Sequence, residues 1–131
     1  MNIVDSSGWL EYFSGGPNSG QFFTPLQDPS SLIVPTITIY EVFKVVLREA
    51  GENEALQSIA AMQKGTVVDL TASIAMKAAK LSLQYNLPMA DSIIFATANT
   101  YKCVIWTQDS DFEKLPGVNF YPKYIEDQQG H

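Results

Sequence analysis

The sequence predicts an α/β fold in which a parallel sheet is covered by helices on both faces. Three observations carry this. Segments that read as strands alternate with segments that read as helices along the whole chain. The strand segments are short continuous apolar runs, such as "NIV", "LIV" and "CVIW", which suit strands buried on both faces. The 131 residues amount to one domain, long enough to bury a core without a disulfide or structural zinc.

Taken in order, "MNIVD" is a short strand ending at Asp5, and "SSGWLEYF" a short helix with Ser6 or Ser7 as N-cap. "SGGPNSG" is a loop by composition. "QFFTPLQ" is ambiguous: its two aromatics suggest burial, while Pro25 limits any helix. "SLIVP" is the second strand, closed by Pro35. "TITIYEVFKVVLREAG" is a helix stopped by Gly51; it is nearly apolar until Lys44, so most of its surface is expected to be covered. "ENEALQSIAAMQKG" is a helix stopped by Gly65, and "TVVDL" the third strand. Thr71 caps a helix over residues 72–86, and Pro88, suited to a first turn, opens another over 88–102. "CVIWT" is the fourth strand, "DSDFEKLPG" a polar turn or short helix, and "VNFY" the fifth strand. Residues 1–125 then form a single domain, with 126–131 a polar tail.

Composition excludes several classes. The single cysteine, Cys103, rules out an intramolecular disulfide; it reads as a buried strand residue, because no nearby histidine would activate it. The one histidine, His131, is the last residue and is given no chemical role. No apolar run approaches the roughly 20 residues that span a membrane. No basic segment precedes an apolar one as in a signal peptide, so a cytoplasmic location is expected. The net charge of −6 argues against loose electrostatic binding to nucleic acid. It leaves room for a nuclease whose acids gather around metal ions, and for a basic partner.

The chemistry lies in the acids. Ligands of an open parallel sheet bind beyond the carboxyl ends of its strands, where the strand order reverses. Asp5 ends the first strand, Asp109 and Asp111 follow the fourth, and Glu41 lies early in the helix after the second. Asp91 interrupts the apolar stretch "LPMADSIIFA", where an ionised carboxylate costs several kcal/mol unless paired. A crossover of two helices running straight down and then up would leave Asp91 at the wrong end of the sheet. Each acid also has an ordinary role: Asp5 as an N-cap, Asp91 against a helix dipole, Asp109 in a turn, Glu41 on a solvated face with Lys44 and Arg48. A cluster has one evident purpose. Neighbouring carboxylates repel and take up protons, and a hard divalent cation with oxygen ligands removes that repulsion.

The chain resembles the PIN-domain ribonucleases, specifically the VapC-type toxins of toxin–antitoxin pairs. The residues that carry the resemblance are "IVDSSGWLEYF", "TIYEVFKVV" with Glu41, "LPMADSIIFATA" with Asp91, and "VIWTQDSDF" with Asp109 and Asp111. They run in the family's order over nearly the whole chain. The resemblance implies a PIN-like three-layer α/β/α fold with a central parallel sheet of four to five strands. It implies that Asp5, Glu41, Asp91 and Asp109 converge at one end of that sheet. Thr107 matches the family's hydroxyl residue near the last acid, Asp111 a frequent extra acid, and Ser6 a common small hydroxyl position. The implied reaction is Mg2+-dependent hydrolysis of RNA phosphodiesters, with Mn2+ as the alternative ion, leaving a 5′-phosphate and a 3′-hydroxyl. Asp5 and Asp91 would ligate the metal directly, and Asp109 and Glu41 would hold a second ion or its water.

The resemblance also implies a homodimer and a small cognate antitoxin protein. The antitoxin's tail would lie in an apolar groove and deliver a basic side chain towards the acids. Trp9, Tyr12, Phe13, Phe22 and Phe23 are the aromatic set that would line such a groove, or else pack in the core. Lys44 and Arg48 would contact RNA phosphates or simply be solvated. A phosphotransfer receiver domain would need an acidic pair after the first strand, where "VDSSG" has a single acid. A non-catalytic PIN-like scaffold module would be expected to have lost acids, and all four remain.

Overall fold

The computed structural model describes residues 1–124, so the polar tail at 126–131 lies outside the described residues. Among the described residues five short strands form: β1 (Asn2–Val4), β2 (Ile33–Pro35), β3 (Thr66–Val68), β4 (Val104–Thr107) and β5 (Val118–Phe120). All pairings are parallel, in two ladders, β1-β4-β5 and β2-β3. A single bridge, Asn2 to Leu32, joins them. The order is therefore β3-β2-β1-β4-β5, and it reverses between β1 and β4. That is where a parallel sheet opens a crevice at its carboxyl edge.

Among the described residues six α-helices cover the sheet: α1 (Ser6–Ser14), α2 (Ser19–Leu26), α3 (Thr36–Ala50), α4 (Glu52–Met62), α5 (Ala72–Tyr85) and α6 (Met89–Tyr101). Successive side chains of a strand face opposite sides, and the core divides accordingly. Ile3, Ile33 and Ile105 join Ile94 and Phe95 of α6 on one face. Val4 and Val34 join Trp9, Phe22, Val42 and Met62 on the other, with Trp106 packed against them. This is the three-layer arrangement expected, with both faces of every central strand covered.

Local details follow from residue type. Gly8 lets α1 approach β1 and α2 closely: a Cβ there would lie 2.7 Å from Val4 Cγ1 and 2.8 Å from Phe22 Cδ1. Gly15 ends α1 in the left-handed conformation, φ 69°, which a side chain would disfavour. The ambiguous "QFFTPLQ" is helical, and Pro25 is accommodated near the end of α2. Thr71 caps α5 through its hydroxyl, which accepts from Ile74 N–H at 3.2 Å.

Three expectations are corrected. The cap of α1 is neither Ser6 nor Ser7 but Asp5, whose carboxylate accepts from Gly8 N–H. The apolar face of α3 is not fully covered: Tyr40 is 59% and Leu47 42% exposed. As an outer-layer helix, α3 turns only one stripe inward, with Thr38 and Val42 buried. Cys103 lies just before β4, half-buried.

The crossover that carries Asp91 also differs from the straight down-and-up path. Only Lys102 and Cys103 separate α6 from the start of β4, so α6 ends at the amino edge of the sheet. A helix of 13 residues spans about 20 Å at 1.5 Å per residue, enough to cross the sheet. Its first turn, with Asp91, therefore starts at the carboxyl edge.

Candidate metal centre

At the carboxyl end of β1 the chain passes directly into α1. Asp5 sits at that junction, 2% exposed, where a carboxylate can accept from the third amide of the helix. Its Oδ1 accepts from Gly8 N–H at 2.9 Å and Ser7 Oγ at 2.8 Å, and its Oδ2 from Thr107 Oγ1 at 2.7 Å. Burial nonetheless pushes its pKa up to about 6; these hydrogen bonds pull it down, and the charge of Asp109 adds to the rise.

β4 ends at Thr107, fully buried. Its hydroxyl donates to Asp5 and accepts from Asp109 N–H at 2.9 Å, so one oxygen ties both acid-bearing junctions. Asp109 caps the short 3-10 turn Ser110–Phe112, and its Oδ1 accepts from Asp111 N–H at 2.9 Å. Across from it, Asp91 stands half-buried in the first turn of α6, just ahead of a run of buried residues from Ser92 to Ala98.

One carboxylate oxygen from each of Asp91, Asp109 and Asp111 lies within 4.8 Å of the other two. Burial pushes the Asp91 pKa up to about 8, reinforced by the charge of Asp109, a hydrogen bond with Asp111, and the charges of Asp111 and Asp5. Asp5 stands beside this trio rather than in it, near enough for its charge to act on Asp91. Asp111, less uniform in the resemblance than the other acids, is one of the three. Glu41 is on α3 and also outside the trio; its Oε1 accepts from the hydroxyl of Ser6, the residue after Asp5, at 2.5 Å.

No Lys or Arg among the described residues forms an ion pair with these acids. Among the described residues the one ion pair is Arg48–Glu49, on the surface. Lys44 lies over the Tyr40 ring, 5.7 Å from its centroid, and both Lys44 and Arg48 are exposed, as for a solvated face. The donor set is all oxygen, hard and anionic, and fits magnesium or manganese.

Next to the trio is a small cavity of about 340 Å³ lined by Gln108, Asp109, Ser110, Phe120, Pro122 and Lys123. A larger one, about 670 Å³, opens between α1, α3 and α4; Gln108 and Lys123 line both. Its walls combine Leu10, Phe13, Val45 and Val46 with Glu11, Glu49 and Glu54. Of the five aromatic residues expected along a groove, Phe13 lines this cavity, whereas Trp9 and Phe22 are buried in the core.

Sequence reasoning missed the two roles of Ser7 and Gln108. The Ser7 hydroxyl supports the Asp5 carboxylate and accepts from Gln108 N–H at 3.3 Å. The spacing "DSD" after a strand was the available signal for Asp111, since two acids two residues apart share one turn.

The PIN domain family model matches residues 3–118. No curated protein matches the chain by sequence. Among solved structures, a chain of a toxin–antitoxin complex from Klebsiella pneumoniae superposes with a TM-score of 0.79 at 24% identity, covering 93% of this chain and 99% of that one. Mycobacterium tuberculosis VapC20, a sarcin-ricin loop cleaving toxin, gives 0.77 at 18% identity, covering 93% and 100%. A chain of DNA-bound VapBC from Salmonella typhimurium gives 0.71 at 15% identity, covering 93% and 98%.

Proposed function

The chain belongs to the PIN domain family, and from that premise we propose that it is a metal-dependent endoribonuclease, the toxin of a toxin–antitoxin pair. The observation that carries this is the convergence of Asp91, Asp109 and Asp111, which no Lys or Arg among the described residues pairs with. A site built only to be stable would not hold a carboxylate whose pKa is pushed to about 8.

In this reading Asp91, Asp109 and Asp111 would hold the ion, with Asp5 the further ligand from β1. When bound, a magnesium or manganese ion supplies activation of water and stabilisation of charge on the phosphoryl oxygens. Thr107 fixes the Asp5 carboxylate through Oδ2 and Ser7 through Oδ1. Glu41, held by Ser6, would orient the attacking water from the α3 side. Phosphodiester hydrolysis would leave a 5′-phosphate and a 3′-hydroxyl.

RNA as substrate is supported by the likeness in fold to a sarcin-ricin loop cleaving toxin. A cognate antitoxin is supported by the likeness to chains of toxin–antitoxin complexes. The acidic and apolar lining of the larger cavity suits a basic amphipathic segment of such a partner. A homodimer in the cytoplasm completes the proposal; the exposed Tyr40 and Leu47 of α3 are apolar surface available to a second copy.

The test incubates the antitoxin-free chain with total RNA, with Mg2+ or Mn2+ and then with EDTA, beside Asp91→Asn. Discrete cleavage that needs metal and disappears in the variant is the expected result. Cleavage unaffected by the substitution indicates a contaminant, and no cleavage with no metal binding by calorimetry indicates a scaffold module.

A further inference from the structure

Between Thr107, which holds Asp5, and Asp109, which joins the acid trio, stands Gln108. The residue is only 8% exposed, although it lines a cavity and glutamines are mostly exposed. It is held from both sides: its Oε1 accepts from Asn18 Nδ2 at 3.0 Å, and its Nε2 donates to Glu11 Oε1 at 3.3 Å. Glu11 Oε2 in turn accepts from Asn18 N–H at 2.8 Å, which closes a ring of three residues. Asn18 Nδ2 also donates to Pro122 O at 2.9 Å. The ring thus fastens the α1–α2 loop and the segment after β5 to the residue that precedes Asp109.

We propose that Gln108 is a positioning residue for Asp109, and that the Asn18–Gln108–Glu11 ring sets where the Asp109 carboxylate meets Asp91 and Asp111. This rests on the metal-dependent reading above. Asp109 has few supports of its own: its N–H is held by Thr107, and its Oδ1 receives Asp111 N–H from its own turn. The far end of the turn is seated by Phe112, buried in one cluster with Ile94 and Phe95 of α6, which leaves the near end, at Asp109, to be held from Gln108. Gln108 is the adjoining side chain anchored to a different layer, and its anchor at Glu11 lies on α1, whose N-cap is Asp5. The ring therefore couples the position of Asp109 to the helix that presents Asp5. Outer-shell hydrogen bonds of this kind orient ligands, and losing one typically weakens metal affinity by about 10–100-fold.

The test titrates the full chain with Mn2+ alone, followed by electron paramagnetic resonance, and records the metal-free thermal midpoint of each variant. Gln108→Met keeps the volume and removes both side-chain bonds; Asn18→Ala removes the opposite side of the ring. Each is expected to weaken Mn2+ binding about 10-fold. The double variant is expected to bind no worse than the weaker single one, because both break the same ring. Ile74→Val, in a separate apolar cluster beside α6, is the control: it lowers the midpoint and leaves Mn2+ affinity unchanged. Unchanged Mn2+ affinity in Gln108→Met, or additive losses in the double variant, overturns the proposal. If Gln108→Met does not fold, Asn18→Ala decides by the same affinity criterion. A folded native chain that binds no Mn2+ overturns the metal reading itself and this inference with it, an outcome distinct from the others.

Discussion

Two junctions each bring an aspartate to the same edge of the sheet, and they treat it in opposite ways. At the β1–α1 junction Asp5 is almost fully buried, but an amide and two hydroxyls donate to it. At the start of α6 Asp91 is only half-buried, yet it meets other carboxylates. Burial raises both pKa values, but Asp91 rises further because its neighbours share its charge. At the first junction the chain supplies hydrogen-bond donors to the carboxylate. The second leaves like charges facing one another, which is what the proposed cation would balance. Burial alone is therefore a poor guide to how far an acid's pKa moves; the groups around it matter as much.

The largest effect that would sharpen this contrast is on catalysis. Asp91→Asn should lower RNA cleavage at least about 100-fold, since a bound metal contributes several kcal/mol of transition-state stabilisation. The same variant should raise the metal-free thermal midpoint at pH 8, because it removes the charge that its neighbours oppose. A lower midpoint would mean that Asp91 has a partner within the chain.

The pH dependence comes next. Both acids have folded pKa values above the ordinary 3.8, at about 6 for Asp5 and about 8 for Asp91. As pH rises past 3.8 the unfolded chain gives up protons that the folded chain keeps, so metal-free stability is full at low pH and falls until about pH 8. The buried Asp5 alone accounts for about 3 kcal/mol, at 1.36 kcal/mol per pKa unit; Asp91, only half-buried, adds less than its shift suggests. Thermal midpoints from pH 4 to 8 should fall in EDTA and stay nearly level in Mn2+. Equal slopes in both would break the comparison.

Asp5→Ala at pH 5, where the native acid is largely protonated, should cost about 2 kcal/mol in urea unfolding, from the lost helix cap and the donors left without an acceptor. The smallest effect is that of Glu41→Gln, which keeps an acceptor for Ser6. Its stability should lie within about 0.5 kcal/mol of the native chain, while cleavage falls if Glu41 orients water.

The strands, most helix boundaries and the location of Asp5 and Asp109 at strand ends were legible in the sequence, because apolar runs and caps are local signals. Asp91 was harder to place. Its location depends on the direction of α6, which the two-residue link before β4 determines but which a simple crossover path obscures. Asp5 replaced the expected serine cap because its carboxylate, one residue earlier, already reaches the amide of Gly8. The exposed face of α3 was not legible, since an apolar run does not say what covers it. The Gln108 ring left no local trace at all: its contacts to Asn18 and Glu11 join residues 90 and 97 positions apart.

The unbroken burial from Ser92 to Ala98 has a consequence for how the site can be controlled. Amide protons along such a helix exchange with solvent only when the whole domain opens, whereas loops and outer turns exchange in partial excursions. Asp91 is attached to the helix with the longest unbroken run of buried residues. A regulator therefore gains nothing by loosening the fold around this carboxylate; it has to arrive at the assembled surface and occupy it.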